Sequence, residues 1–127
     1  MSDSKLQNIQ VNVNTAYIAS SSEPEAARYV FVYSITIKNT GNIEAQLVSR
    51  HWVITDSNGK VQEVHGEGVV GEQPHIQPGE SFEYTSGAVL ETSVGAMQGS
   101  YDMMDADGEK FTALIPAFSL SIPRTLH

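Results

Sequence analysis

The sequence predicts an all-β chain, an immunoglobulin/fibronectin type III-like antiparallel β-sandwich of seven to eight strands. Three observations lead there. Apolar and polar residues alternate with a period of two in several short stretches, as in half-buried strands. Clusters rich in Gly, Asn, Asp and Pro separate those stretches and supply turns. No window of a dozen residues repeats its apolar positions with the 3.6-residue period of a helix. A closed barrel is the alternative. Either is built as one domain over residues 1–127, with an ordered core at about 7–123.

Residues 7–19 form the first expected strand, with Ile9, Val11 and Val13 on one face and Gln10, Asn12 and Asn14 on the other. A polar break at 20–25 follows, containing Pro24, which a strand ladder excludes. Residues 27–40 suit a long central strand: Tyr29, Phe31, Tyr33, Ile35 and Ile37 share one face, and the other also carries β-branched residues. Asn39, Gly41 and Asn42 tolerate positive φ, so the chain is expected to fold back into an antiparallel third strand at 45–55. There Leu47 and Val53 are assigned to one face and Arg50, Trp52 and Ile54 to the other, with Trp52 in the core.

Gly59 closes the next turn, at 56–59. A short strand at 61–64 enters a glycine-rich loop at 65–80, and a fifth strand at 81–85 is expected to stop at Ser86 and Gly87. Residues 88–98 are read as a loop, since Gly95 disfavours a helix. Residues 99–104 and 109–115 make a hairpin around Asp105-Ala-Asp-Gly108. Pro116 then makes residues 116–122 an edge strand or a bulged continuation, ended by Pro123.

Fifteen Asp and Glu against seven Lys and Arg give a net charge of −8, which repels phosphate backbones and anionic lipid headgroups. Nucleic acid is therefore not an expected partner. The absence of cysteine removes disulfides, thiolate catalysis and Cys-based zinc sites. The first ten residues contain no apolar h-region, and no apolar run approaches the roughly 20 residues of a membrane span. Neither export nor membrane insertion is indicated, and a cytoplasmic protein is expected.

Gly66, Gly68 and Gly71 have the G-x-G-x-x-G spacing of a phosphate-binding loop. That spacing binds a pyrophosphate when a helix follows and aims its free N–H groups at the charge. Here Pro74 and Pro78 forbid a continuous helix, Glu67 and Glu72 add negative charge, and no Gly-Lys-[Ser/Thr] ending is present. The glycines are expected to provide positive φ or close backbone approach in a proline-stiffened loop. His65, Gly66, Gly68, Gly71, Gln73, Pro74 and His75 form the candidate ligand or interaction loop. An exposed nest of N–H groups there would suit a small anion such as pyrophosphate.

Histidines at 51, 65, 75 and 127 show no His-x-His or His-Glu-x-x-His pattern. His65 and His75, which flank the loop, are the candidate pair for a divalent cation. Asp105-Ala-Asp-Gly-Glu109 resembles a fragment of a calcium loop without its twelve-residue register, and is read as a turn. No Gly-x-Ser-x-Gly elbow occurs, so no catalytic residue and no cofactor are assigned. Arg50, beside Trp52, is read as structural.

The chain closely resembles the ApaG domain family. The resemblance rests on Gln46-Leu-Val-Ser-Arg50, Trp52-Val-Ile-Thr-Asp56, Gly66-Glu-Gly-Val-Val-Gly-Glu-Gln-Pro74, Pro78-Gly79, Phe82-Glu-Tyr-Thr-Ser-Gly87, Met97-Gln-Gly99, Tyr101, and Phe111 through Ile115-Pro-Ala-Phe-Ser-Leu120. It covers roughly residues 5 to 123. It implies a fibronectin type III-like sandwich. Stand-alone bacterial members are associated with cobalt resistance and magnesium efflux. In eukaryotic F-box proteins, and in a protein that interacts with DNA polymerase delta, the same domain looks like a protein-interaction module. No established enzymatic activity comes with the resemblance, although its glycine motif has prompted nucleotide-binding proposals.

The expected function is accordingly that of a non-enzymatic binding module with a protein partner, and an open edge strand also admits a homodimer. One alternative is small-anion or nucleotide binding, or phosphohydrolase activity, at the loop, with His65, His75, Glu67 and Glu72 as ligands or acid/base groups. A divalent-cation sensor is the other.

Overall fold

The computed structural model describes residues 4–123, so His127 lies outside the described residues. Eight strands build two antiparallel sheets. β1 (Ile9–Tyr17), β2 (Tyr29–Asn39) and β6 (Ser81–Leu90) form a three-stranded sheet with β2 in the centre. The second sheet has the order β4 (Val61–Glu67), β3 (Ala45–Asp56), β7 (Val94–Asp105), β8 (Lys110–Ser121), and the two-residue β5 (His75–Ile76) also pairs with β3. Two separate sheets make a sandwich, not a closed barrel. Two single turns of 3-10 helix, Ala19–Ser21 and Pro24–Ala26, fill the polar break before β2.

The inner faces follow from the alternation along the strands. Phe31, Tyr33, Ile35 and Ile37 of β2 are all buried, and they face Leu47 and Trp52 of β3 together with Met97, Tyr101 and Met103 of β7. Trp52 meets Tyr33, Tyr101 and Phe118 in tilted or edge-on contacts at 5.3–6.5 Å between ring centroids. Burial of one such large side chain stabilises the fold by about 2–3 kcal/mol, so this aromatic group anchors the two sheets. The Tyr84 and Tyr101 hydroxyls join the sheets at 2.5 Å. Burial pushes both phenols well above their usual range, so the pair stays uncharged at neutral pH.

Four expectations need correction. The turn at 39–42 does not form a hairpin: β2 and β3 lie in different sheets, and the chain crosses between them there. Buried Asn39 holds the crossing, its side-chain amide donating to the carbonyls of Ile43 and Ile76 while its oxygen accepts from Gly41 N–H. Val48 is a bulge in β3, so the inward face passes from Leu47 to Trp52, and Leu47 does not share a face with Val53. β6 runs through Ser86 and Gly87 to Leu90 without stopping.

Finally, most of residues 88–98 are strand. Ala88, Leu90 and Met97 are core residues, and only a short turn at 91–93 joins β6 to β7. Gly95 and Gly99 are there because the strands crowd together. A Cβ at Gly95 would lie 2.8 Å from the Thr55 carbonyl oxygen, and one at Gly99 would lie 2.0 Å from that of His51. The terminal hairpin and the bulged edge strand at Pro116 are as expected, with Gln98 facing the extra residues of β8.

Candidate functional site

The glycine-rich segment is an excursion along the β3 edge of the larger sheet. β4 pairs with Ser49 to Thr55 of β3, and β5 resumes the pairing at Ala45 and Gln46. Between them the chain must leave the sheet opposite the Val48 bulge. It does so with Val69 and Glu72 exchanging both backbone hydrogen bonds, at 2.8 and 2.9 Å, around a two-residue tip. Val70 at φ 43 and Gly71 at φ 82 form that tip, a turn of the primed, positive-φ kind.

The loop is filled by its own chain. Val69 is fully buried in the core. Gly68 N–H donates to the Val48 carbonyl at 2.8 Å, and the Gln73 side chain donates to the same oxygen at 2.8 Å. Leu47 N–H donates to the Pro74 carbonyl at 3.0 Å. Arg50 reaches up from β3 and donates to the carbonyls of Glu67 and Gly68, at 3.2 and 2.8 Å.

Each glycine has a separate reason to be glycine. Gly66 sits in β4 opposite Arg50, where a Cβ would come within 2.7 Å of the guanidinium carbon. Gly68 combines φ 62 with a carbonyl, that of Glu72, 2.1 Å from where a Cβ would stand. Gly71 needs only its positive φ, since nothing lies within 4 Å of a Cβ there.

Anion binding by such a spacing requires free, convergent N–H groups. Here the amides of Gly68, Val69 and Glu72 already have backbone acceptors, and Arg50 faces carbonyl oxygens. The exposed groups at the tip are the Val70 side chain and the carboxylates of Glu67 and Glu72. The loop is thus a filled, outward-pointing projection.

The two flanking histidines do not come together. His75, in β5, bonds through Nδ1 to Glu44 at 2.6 Å, and Gln77 donates to the other Glu44 oxygen at 2.7 Å. The Gln77 bond, with the His75 bond next, holds the Glu44 carboxyl below its usual range. His65, in β4, stacks on His51 of β3, with centroids 4.2 Å apart and planes 9° from parallel. Glu63 lies on the same face, with its Oε1 3.8 Å from His51 Nε2. Reflection of the chain about Asn58, the midpoint of a turn closed by Asp56 and Lys60, places residue 65 opposite residue 51. That is one position away from the pairing that a 56–59 turn would give, so strand register reveals this pair only once the turn length is known.

At the other end of the larger sheet, the 105–108 turn also carries its own filling. The Asp105 side chain is buried and pairs with the Lys5 ammonium at 2.9 Å, while Asp107 and Glu109 approach the same ammonium. Gln7 donates to Asp105 at 2.7 Å, and the backbone N–H groups of Asp107 and Glu109 donate to its second oxygen. Burial raises the Asp105 pKa, but the bonds from Gln7, Lys5 and the backbone together outweigh it and bring the value down to about 2.

Comparison with known proteins agrees with this architecture. The ApaG domain family model matches residues 19–105. Protein ApaG of Thiobacillus denitrificans is 61% identical over 127 residues, covering 100% of both chains. Protein ApaG of Azoarcus sp. is likewise 61% identical over 127 residues with 100% coverage of both. The crystal structure of the ApaA protein from Bordetella pertussis superposes with a TM-score of 0.92 at 47% identity, covering 95% of this chain and 98% of that one. With its sandwich, its filled glycine loop and relatives that match from end to end, the chain belongs to the ApaG family.

Proposed function

We propose that this protein is a non-enzymatic binding module of the cytoplasm that engages a protein partner through the tip of the glycine loop and the adjoining edge strand β4. The observation that carries this reading is Val70. A β-branched residue at φ 43 is strained, and Val70 is also 57% exposed, so it contributes neither a relaxed turn nor core packing to the free chain. The loop beneath it is held at both ends, so the apolar tip is presented in one conformation and little ordering entropy remains to be lost on binding.

β4 supports the same surface. It is the outer strand of its sheet, so one side of its backbone is open to pairing by an added strand, and Val61 and Val64 project from it exposed. A second copy of the chain is an alternative occupant of that edge, which light scattering tests. A role in cation homeostasis, as the family resemblance implies, would then be exerted through the partner.

Affinity capture with the immobilised chain is expected to recover a stoichiometric protein partner, and Val70→Asp to weaken capture by an order of magnitude or more at unchanged thermal stability. Absence of a stoichiometric partner, or capture indifferent to Val70→Asp, would overturn the proposal. Calorimetric titration with pyrophosphate is expected to give no heat, and turnover of a diphosphate substrate would argue for a catalytic loop instead.

A further inference from the structure

We propose that His51, Glu63 and His65 form a binding site for a borderline divalent cation of the Zn2+ or Ni2+ kind on the outer face of the larger sheet. Glu63 and His65 belong to β4, so the site adjoins the partner-binding surface described above without resting on that reading. Its backbone frame is regular: His51 and His65 are directly opposed across the β3–β4 pair, and Glu63 opposes Val53 two positions along. Side chains at i and i+2 of a strand share a face, so the two imidazoles and the carboxylate converge on one side of the sheet, opposite the core-facing Trp52. One ligating atom from each of the three lies within 4.8 Å of the other two.

A second observation points to a missing ligand. His51 Nε2 is buried at the atomic level and has no hydrogen-bond partner among the described residues. Glu63 Oε1 lies 3.8 Å away, beyond hydrogen-bond range. A buried ring nitrogen normally has a partner, because leaving one unmatched costs about 1–3 kcal/mol. A cation between Nε2 and the carboxylate satisfies both.

The donor set selects the ion. Two imidazole nitrogens and one carboxylate oxygen suit Zn2+, Ni2+ and Cu2+, whereas Mg2+ and Ca2+ prefer oxygen alone. Ligand atoms about 2.0–2.1 Å from a tetrahedral ion lie roughly 3.4 Å from one another. The cluster must therefore contract slightly, and the parallel rings must tilt until their nitrogens converge. His65 is exposed on an edge strand and can tilt against solvent, while His51 and the two paired backbones stay in place. Three protein ligands leave the fourth position to water.

The test is titration of the full chain with Zn2+ by calorimetry and with Ni2+ by NMR, using Mg2+ as the comparison. One ion per chain is expected, with the largest NMR perturbations at residues 51, 63 and 65. His51→Gln and His65→Gln should each weaken binding by on the order of 100-fold while circular dichroism stays native, and Glu83→Gln on the other sheet should leave affinity unchanged. Rotation-compatible Glu63→Asp should retain more affinity than Glu63→Gln. No binding of Zn2+ or Ni2+ at millimolar concentration, Mg2+ bound as tightly, or affinity indifferent to both histidine substitutions would overturn the proposal.

Discussion

Two segments resemble ligand loops in the sequence, and the fold fills both from within by opposite means. The glycine loop is filled by apolar packing and neutral acceptors: Val69 enters the core, and the Arg50 guanidinium lies against carbonyl oxygens. The acidic turn at 105–108 is filled by charge, with the Lys5 ammonium standing where a cation would otherwise be held. Glycine spacing and acidic clustering thus record how a turn is built before they record what it binds. The His51–Glu63–His65 cluster lies on paired strands with no turn signature of its own, and there a buried nitrogen lacks a partner.

The contrast can be broken most severely at Gly68. Gly68→Ala combines backbone strain with a contact that the Glu72 carbonyl cannot easily relieve, and is expected to cost about 3 kcal/mol in urea unfolding. The acidic turn should instead respond to pH. Its folded pKa of about 2 lies below the unfolded value of roughly 3.9, so Asp105 contributes stability that is fully present above about pH 4 and is lost as pH falls toward 2. Asp105→Asn should lower stability at neutral pH and flatten that acid limb, as read from urea midpoints at pH 7, 4 and 2. Substitutions in the glycine loop should shift the whole profile without changing its shape.

Smaller effects separate the two glycine roles. Gly71→Ala meets nothing within 4 Å and is expected to cost only about 1 kcal/mol, from its positive φ. Val70→Gly should go the other way and stabilise the free chain by about 0.5 kcal/mol, measured as a raised thermal midpoint, because it relieves strain at φ 43. Equal losses at Gly68 and Gly71 would mean that the close approach to Glu72 does not limit the loop.

β1, β2 and the hairpin segments 99–104 and 109–115 were legible because each has an apolar alternation that the tertiary structure leaves undisturbed. The sequence misleads where glycine lies inside a strand: Gly95 looks like a break until its close neighbours across the sheet are known, and Gly87 looks like one although β6 simply runs through it. Val48 misleads differently: one bulged residue reverses the faces on either side of it. At the loop, Gly66, Gly68 and Gly71 were rightly associated with backbone conformation and close approach. The roles of Val69, Arg50 and Gln73 depend on contacts across the Val48 bulge, which no local pattern encodes.

Amide hydrogen exchange in the glycine loop tests the filled-loop geometry most directly. The amides of Gly68, Val69 and Glu72 have backbone acceptors, whereas those of Val70 and Gly71 have none among the described residues. The first three should therefore exchange slowly and the two tip amides fast, with no change on adding pyrophosphate. Fast exchange at all five, or protection of Val70 and Gly71 that appears only with pyrophosphate, would contradict a self-filled loop and return the segment to the anion-binding class.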